Sequence, residues 1–314
     1  MQHNAHCSFF YLQRFNNCEN SGSTMRIIRA KAPVRLDLAG GWTDVPPFTH
    51  DSGGEVVNIA INKYAHCEFK VDDSGRLSAN YHTEVPIGSG LGTSSAMNVA
   101  LLSCIKAGSI SGNEVAHLAH DFENLIGNRV GRQDQWASAN GGVQHLLFIG
   151  DDVEILPFEP LPSALRWLRK HLVVAYCGKS HVSGDIHSPI WEKYAQGDEV
   201  IVGALLEIRK LASNMAIGLQ QDRRDIIIQS LKEVTAAVDK LDLNLNAPFR
   251  SVCDDLMSTR TALAWKVMGA GGGGCVGIIS NLEKRDEVEN TCESAGWELI
   301  DWDYDEDGVV VTQE

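Results

Sequence analysis

The most informative stretch of the sequence is the glycine-rich segment at residues 86–96. It reads Pro86-Ile-Gly-Ser-Gly-Leu-Gly-Thr-Ser-Ser-Ala96 and runs into small and apolar residues at helical spacing. Glycines at alternate positions allow a tight turn that brings consecutive N–H groups toward a ligand, and the helix predicted over 93–107 adds its positive N-terminal end. The stretch therefore predicts an anion-binding loop. A plain glycine-rich turn with Ser or Thr capping of the helix is the alternative.

Three hydroxyl side chains, Thr93, Ser94 and Ser95, follow in the first turn of that helix. Hydroxyl oxygens suit a phosphate group or Mg²⁺, a hard cation that prefers oxygen ligands. Two better-known phosphate motifs fail on this chain. Gly178-Lys179-Ser180 has Val173 where the first glycine of the Walker A motif belongs, and Thr93 breaks the GxGxxG pattern.

A second glycine run, Gly269-Ala-Gly-Gly-Gly-Gly274, matches GxGxxG formally. A helix predicted to end near Lys266 precedes it and a strand over 275–280 follows it, which is the wrong order for a dinucleotide site. We expect a backbone loop pressed close to a ligand or to another loop. A simple helix-to-strand turn is the alternative.

The third informative stretch is Gly131-Arg-Gln-Asp-Gln-Trp136. Its Asp134, flanked by amides, suits a general base or an orienting group for an alcohol, although a polar loop with a capping aspartate reads the same way. Eleven positions earlier, Glu123 lies on a helix predicted over 112–126, with Asn113 as its cap. Its carboxylate is placed to reach a metal at the serine-rich loop, and a solvated helix glutamate is the alternative.

The fourth stretch, Lys31 to Pro47, contains one arginine on an otherwise apolar strand and one aspartate in a Gly/Pro turn. Arg35 needs an anionic partner if it points inward, and Asp44 suits hydrogen bonding to sugar hydroxyls. A surface arginine and a turn aspartate are the alternatives.

Composition and charge exclude several classes of protein. The chain has 314 residues, with 27 Lys and Arg against 41 Asp and Glu, so its formal net charge of −14 disfavours nucleic acid and anionic membrane surfaces. Its eight cysteines are scattered singly, which predicts reduced thiols in a cytoplasmic protein. Residues 1–24 make a poor signal peptide, and we expect them to be a disordered extension, with a true start at Met25 as the alternative.

Periodicity and chain breakers predict two units in an α+β order, with strands and helices in blocks. We place the domains at 25–165 and 166–314. Predicted strands cover the Met25–Lys70 meander, 143–149, 153–158, 172–176 and 275–280 plus a final pair, and predicted helices cover 93–107, 112–126, 189–219, 222–240, 248–266 and 283–296.

These segments, in this order, resemble the GHMP kinase superfamily, the small-molecule kinases named for galactose, homoserine, mevalonate and phosphomevalonate. The three family motifs correspond to Ala32–Asp44, Gly88–Ser95 and Gly269–Gly274. Ala-Gly-Gly-Trp-Thr-Asp-Val-Pro-Pro and Gly-Arg-Gln-Asp-Gln are most similar to the branch that contains D-glycero-D-manno-heptose 7-phosphate kinase and L-fucokinase, with the heptose kinase the nearer match. The resemblance implies an N-terminal domain like ribosomal protein S5 domain 2, a C-terminal ferredoxin-like domain, and an active site in the cleft.

The resemblance also implies ATP and Mg²⁺ as cofactors, and it gives individual residues their roles. Asp134 would be the base or orienter of the acceptor hydroxyl, Arg35 would steady the developing negative charge, and Ser94 and Glu123 would bind Mg²⁺. The residues that would bind the nucleotide are Pro86, Gly88, Ser89, Gly90, Leu91, Gly92, Thr93, Ser94 and Ser95. Those that would contact the acceptor are Asp44, Gly40, Gly41, Arg132, Gln133, Gly269, Gly271 and Gly272.

The expected function is transfer of the γ-phosphoryl group of ATP to a hydroxyl of a sugar or sugar phosphate, with D-glycero-D-manno-heptose 7-phosphate first among acceptors. The alternatives are a fucokinase-like or other monosaccharide kinase and, from another class, a non-catalytic sensor of sugar and ATP. A phosphorylated acceptor needs local cations, for which Arg132, Arg129 and Lys179 are candidates. The partner is a small molecule, and a homodimer is left open.

The chain departs from the family at two places. Only about 14 residues separate the strand ending near Val71 from Pro86, where relatives have a longer insertion. Lys179–Asp185 occupies the place of an Arg/Ser-rich stretch that contacts the sugar in relatives. Both departures bear on the walls of the site and on which sugar it takes.

Overall fold

The computed structural model describes residues 26–72, 74–127, 131–179 and 183–314, without the side chains of 183–187. The predicted extension at 1–24, Arg129 and residues 180–182 of the 179–185 stretch lie outside these residues. The strands are β1 (Arg26–Ala39), β2 (Gly54–Val71), β3 (Leu77–Thr83), β4 (Val143–Ile149), β5 (Asp152–Ile155), β6 (Leu172–Tyr176), β7 (Ala262–Val267), β8 (Cys275–Ser280), β9 (Glu298–Leu299) and β10 (Val310–Gln313). The helices are α1 (Phe48–Asp51), α2 (Thr93–Ile105), α3 (Gly112–Leu125), α4 (Gln133–Asn140), α5 (Pro162–His171), α6 (Ser183–Ala195), α7 (Glu199–Gln220), α8 (Arg224–Leu241), α9 (Ala247–Ser258) and α10 (Arg285–Ser294), with a 3-10 turn at Leu243–Leu245.

The larger sheet is antiparallel and has the strand order β10-β1-β2-β4-β5, with β3 beside the second half of β2. Every residue from Val34 to Ala39 of β1 is buried, because helices cover both faces of this part of the sheet. Helices α2 and α4 pack on β1 and β2, and so does α7. The long apolar run of β1 thus holds its polar residues inside the protein.

The smaller sheet is also antiparallel, with the order β7-β8-β6-β9. Helix α8 packs against β7, and Phe249 of α9 and Val288 of α10 join a second apolar cluster on this sheet. The last strand, β10, returns to the larger sheet beside β1. The division into 25–165 and 166–314 stays a prediction.

The structure confirms the α+β order and corrects several elements. The helix predicted over 248–266 ends at Ser258, and β7 follows it, so the glycine run 269–274 joins two antiparallel strands. The helix predicted over 189–219 is two helices, with Gly197 between them at φ +74°. The cap of α3 is Ser111 and not Asn113, because Ser111 and Glu114 form a reciprocal capping box.

Helices α1, α4 and α5 and strand β3 were not predicted. Helix α5 begins at Pro162, where prolines were interpreted only as breakers, although proline is well tolerated in a first helical turn. Strand β3 is half-exposed on the edge of β2 and has little apolar content. Among the described residues, no helix combines the length and the apolar character needed to cross a bilayer.

Candidate active site

The predicted anion-binding loop has the backbone that the sequence suggested. Gly88, Gly90 and Gly92 have φ values of +77°, +77° and +75°, a region that residues with a Cβ adopt only with strain. Gly92 is the N-terminal cap of α2, so the first free N–H groups of that helix lie directly after the loop. A helix N-terminus of this kind attracts anions through its dipole and its free donors.

The second glycine run lies against this loop. A Cβ on Gly90 would be 2.1 Å from the carbonyl oxygen of Met268, and one on Gly274 would be 2.5 Å from that of Ser89. The Cys275 N–H donates to the Ser89 carbonyl over 2.7 Å. The expectation of a loop pressed against another loop is therefore confirmed.

A buried ion pair joins β1 to α4 next to the loop. Arg35 Nε and Nη2 each lie 2.8 Å from Oδ1 of Asp134, and Arg35 Nη1 donates to the Gly90 carbonyl at 2.5 Å. The side chain of Arg35 is 4% exposed, so it points inward and is not the surface arginine that sequence left as the alternative. Asp134 stands in the first turn of α4, a helix where sequence alone left a polar loop as an alternative.

Burial and charge act in opposite directions on Asp134. Burial raises the pKa of its carboxyl, while the charge and hydrogen bonds of Arg35 lower it. A carboxylate of raised basicity that is held by a fixed cation is suited to orient a hydroxyl group or to accept its proton.

Asp44 contacts the N-terminus of α4. Its Oδ2 accepts the Gln133 N–H over 3.0 Å, which caps the helix that carries Asp134. Burial raises the pKa of Asp44 to about 6, and the neighbouring charges of Asp134 and Asp37 add to that effect. Gly131 permits this contact, since a Cβ there would lie 2.1 Å from Asp44 Oδ2.

Glu123 of α3 lies on the wall of the same cavity as Asp134. Its carboxylate is 1% exposed and accepts from the amides of Asn98, over 2.9 Å, and Gln135, over 3.0 Å. Burial raises its pKa.

Ser94, by contrast, is exposed at the start of α2. A hydroxyl and a carboxylate at one helix N-terminus fit Mg²⁺, which is usually held by one or two carboxylates together with substrate phosphates. Within the described ranges, no group of three His, Cys, Asp or Glu side chains is placed to hold a metal ion.

One cavity collects most of the predicted residues. Those on its wall are Arg35, Gly41, Asp44, Gly88, Gly90, Gly92, Thr93, Ser94, Ser95, Glu123, Gln133, Asp134 and Gly269. The predicted residues that do not line it are Pro86, Ser89, Leu91, Gly40, Arg132, Gly271 and Gly272. Leu91 is a core residue whose carbonyl accepts the Arg35 N–H, and Gly40 gives room to the Glu55 carbonyl.

The structure does not place Arg132 as a ligand for an acceptor phosphate. Its side chain is buried, and its Nη2 donates to Thr49 Oγ1 and to the Gly150 carbonyl. The guanidinium also packs over Phe148, with 5.6 Å between Cζ and the ring centroid. Arg132 therefore ties α4 to the β4-β5 turn, which a one-dimensional pattern of charges cannot reveal.

Sequence analysis missed two residues of the cavity wall that carry strong local features. Trp42 has φ +81°, a strained value for a residue with a side chain, and such strain gathers at functional sites. Asp37 is 1% exposed and forms a buried ion pair with Lys266, 2.7 Å from Nζ to Oδ2. Alternation along β1 was the available signal, because Asp37 stands two residues after Arg35 and so shares its face.

Comparison with known proteins finds a family model and several kinase relatives. Residues 56–142 match the GHMP kinases N terminal domain. The chain is 24% identical over 330 residues to a bifunctional fucokinase/GDP-fucose pyrophosphorylase of Arabidopsis thaliana, covering 85% of this chain and 31% of that protein. It is 26% identical over 266 residues to a mevalonate kinase of Thermococcus onnurineus (strain NA1), covering 79% of this chain and 74% of that one. The chain thus spans about a third of the fucokinase relative and about three quarters of the mevalonate kinase.

A solved structure shows the same fold. The crystal structure of a D-glycero-D-manno-heptose 1-phosphate kinase from Bacteriodes thetaiotaomicron superposes with a TM-score of 0.72 at 22% identity, covering 91% of this chain and 98% of that one. Residues 56–142 thus match the model of the GHMP kinases N terminal domain, and the chain has the fold of these kinases.

Proposed function

We propose that this protein is an ATP-dependent sugar kinase, a phosphotransferase with an alcohol group as acceptor. One observation carries the proposal: the Arg35–Asp134 pair and the Gly88–Ser95 loop share one cavity at the N-terminus of α2. This puts a hydroxyl-orienting carboxylate beside a phosphate-binding loop, the arrangement that phosphoryl transfer needs. Fucokinase and mevalonate kinase relatives and a heptose-phosphate kinase neighbour support it.

The residues of the cavity have separate roles in this proposal. The loop N–H groups and the N-terminus of α2 hold the phosphates, and Ser94 and Glu123 are the residues that would hold Mg²⁺, which supplies neutralising charge. Asp134 orients the acceptor hydroxyl and accepts its proton, while Arg35 fixes the carboxylate and faces the charge that develops in transfer.

The charges of the cavity wall favour an acceptor that carries no phosphate. Among the described residues, Arg35 is the only lysine or arginine on this wall, and it is already paired with Asp134. Asp44 adds a further carboxylate, which accepts the Gln133 N–H, and Asp37 adds one that is paired with Lys266. Negative charge next to an acceptor phosphate costs binding energy, so a free monosaccharide, as in a fucokinase-like enzyme, fits the wall better than heptose 7-phosphate does.

The test is ATP consumption with Mg²⁺ against D-glycero-D-manno-heptose 7-phosphate, L-fucose, galactose and mannose. We expect one acceptor to exceed the rest by about a hundredfold in kcat/KM, and a neutral sugar to be that acceptor. A preference for the sugar phosphate would overturn the charge argument and leave the kinase proposal standing. Tight Mg·ATP binding without turnover of any sugar would instead support a non-catalytic sensor.

A further inference from the structure

Asp37 is a buried carboxylate of the cavity wall that is only half paired. It stands on β1 in the middle of the protein and is 1% exposed. Its Oδ2 accepts from Lys266 Nζ over 2.7 Å, and the same ammonium donates to the Asp37 carbonyl at 2.9 Å and to the Val267 carbonyl at 3.1 Å. All three protons of Lys266 are therefore used, and the lysine serves to hold Asp37 in place.

The second oxygen of this carboxylate has no partner. Within the described part of the chain, Asp37 Oδ1 is buried and accepts no hydrogen bond, and Gln133 Oε1 is in the same position. Buried polar atoms are almost always paired, and an unpaired one on a cavity wall calls for a ligand that completes it. A carboxylate offers acceptors only, so the completing group must be a donor.

Gly41 lies between the two side chains that carry these unpaired oxygens. A Cβ at this position would lie 2.1 Å from Asp37 Oδ2 and 3.2 Å from Gln133 Nε2. The glycine thus leaves the carboxylate and the amide next to each other along one wall. Two neighbouring hydroxyls of a sugar match this pair, since one hydroxyl donates to Asp37 and the next exchanges a hydrogen bond with the amide of Gln133.

We propose that Asp37 determines acceptor specificity by accepting a hydrogen bond from a sugar hydroxyl other than the one phosphorylated, and that Lys266 is its positioning residue. The proposal rests on the proposed kinase function. It predicts that the acceptor keeps a free hydroxyl at one defined position. It also predicts that an analogue lacking that hydroxyl is rejected strongly, because a buried carboxylate oxygen then stays unpaired.

The test is a cycle between Asp37→Asn and a series of monodeoxy analogues of the best acceptor. In this variant the amide oxygen must turn to Lys266, which has donors only, so the amide NH₂ faces the cavity where an acceptor stood. We expect KM for the sugar to rise at least tenfold and KM for ATP to change less than twofold. In the wild type, one deoxy analogue should have a kcat/KM about a hundredfold below that of the parent sugar. In Asp37→Asn, the same analogue should differ from the parent sugar by less than about threefold.

Asp301→Asn is the matched control, because Asp301 is an ion-paired aspartate whose side chain is 91% exposed and lies outside the cavity wall. If Asp37→Asn is too unstable to assay, Asp37→Asn combined with Lys266→Met removes both buried charges and keeps the carboxamide, and the same sugar cycle applies. Equal losses for every deoxy analogue in wild type and variant would overturn the proposal while the kinase activity stands. A wild type that phosphorylates no sugar would overturn the proposed function as well.

Discussion

Arg35 directs two donors, Nε and Nη2, at a single oxygen of Asp134, each over 2.8 Å. The other oxygen, Oδ2, lies on the side of the phosphate-binding loop, where a Cβ on Gly92 would be 3.1 Å away from it. The arginine thus fixes the carboxylate so that its second oxygen faces the start of α2. In the proposed function, the pair thus orients the free carboxylate oxygen toward the loop that would hold the phosphates.

Replacing Asp134 by Asn should remove the proton acceptor and keep the shape of the site. We expect kcat to fall by about 10²–10⁴-fold, the usual contribution of a positioned general base, with the dissociation constant of Mg·ATP changed less than about threefold. Steady-state kinetics and calorimetric titration of ATP measure the two quantities. Turnover at the wild-type level would remove Asp134 from the mechanism.

Arg35 should not tolerate a change to lysine. One ammonium group cannot reach both the Asp134 carboxylate and the Gly90 carbonyl in the way the planar guanidinium does. Arg35→Lys should keep the fold and lose about tenfold or more in kcat. Arg35→Met should lose more, and it should also lower the free energy of unfolding by about 3 kcal/mol, because Asp134 stays behind without its cation. Urea titration and kinetics on both variants give the comparison, and equal activity of Lys and Arg at this position would contradict it.

The close approach of the two glycine loops can be tested with a pair of alanine variants. Gly90 and Gly75 have nearly equal φ values, +77° and +76°, so both substitutions carry a backbone strain of about 1–2 kcal/mol. Only Gly90→Ala also brings a Cβ to 2.1 Å from the Met268 carbonyl, whereas nothing lies within 4 Å at Gly75. Gly90→Ala should therefore destabilise the protein clearly more than Gly75→Ala and weaken ATP binding. Equal melting temperatures and equal ATP affinities would mean that the loops separate freely.

The sequence predicted those parts of the site in which short-range chemistry determines structure. The alternate glycines before α2 and the inward Arg35 were found because a positive φ and a buried charge each restrict the residue type severely. Glu123 and Asp134 were also found, although the hexapeptide 131–136 was interpreted as a loop. The helical turn at Gln133 depends on the distant cap from Asp44, which no local pattern shows.

Features that depend on distant partners were missed. The stretch Ala262–Val267 has a lysine among apolar residues and was interpreted as the end of a helix. Its pairing with β8 and the ion pair of Lys266 with Asp37 decide that it is a strand. Arg132 is predicted as a local cation for an acceptor phosphate, yet its side chain points to Thr49. The direction of the Arg132 side chain is set by its packing against Thr49 and Gly150, which are far away in the sequence.

Glu123 should control the requirement for Mg²⁺. In Glu123→Gln one acceptor oxygen becomes a donor that faces the amides of Asn98 and Gln135, and the charge that would bind the cation is lost. We expect the free Mg²⁺ concentration for half-maximal turnover to rise about tenfold or more. Asp121→Asn is the matched control, an exposed carboxylate on the same helix, and should behave like the wild type. A Mg²⁺ dependence equal in all three proteins would exclude Glu123 as a ligand.

The buried carboxyl group of Asp44 should make the folded protein less stable as the pH rises. Its pKa is raised from 3.8 to about 6 by burial, so between these values the unfolded chain loses a proton that the folded chain retains. The free energy of unfolding therefore falls as the pH rises through this window and stays lower above about pH 6, by up to about 3 kcal/mol for a shift of two units. Asp44→Asn keeps an acceptor for the Gln133 N–H and has no charge to bury. It should be as stable as the wild type near pH 3.5 and more stable near pH 7.5, with reduced affinity for the acceptor sugar. Urea titrations across this pH range, with Asp301→Asn as the exposed control, measure the difference, and a stability gain that does not change with pH would show that ionisation of Asp44 is not its cause.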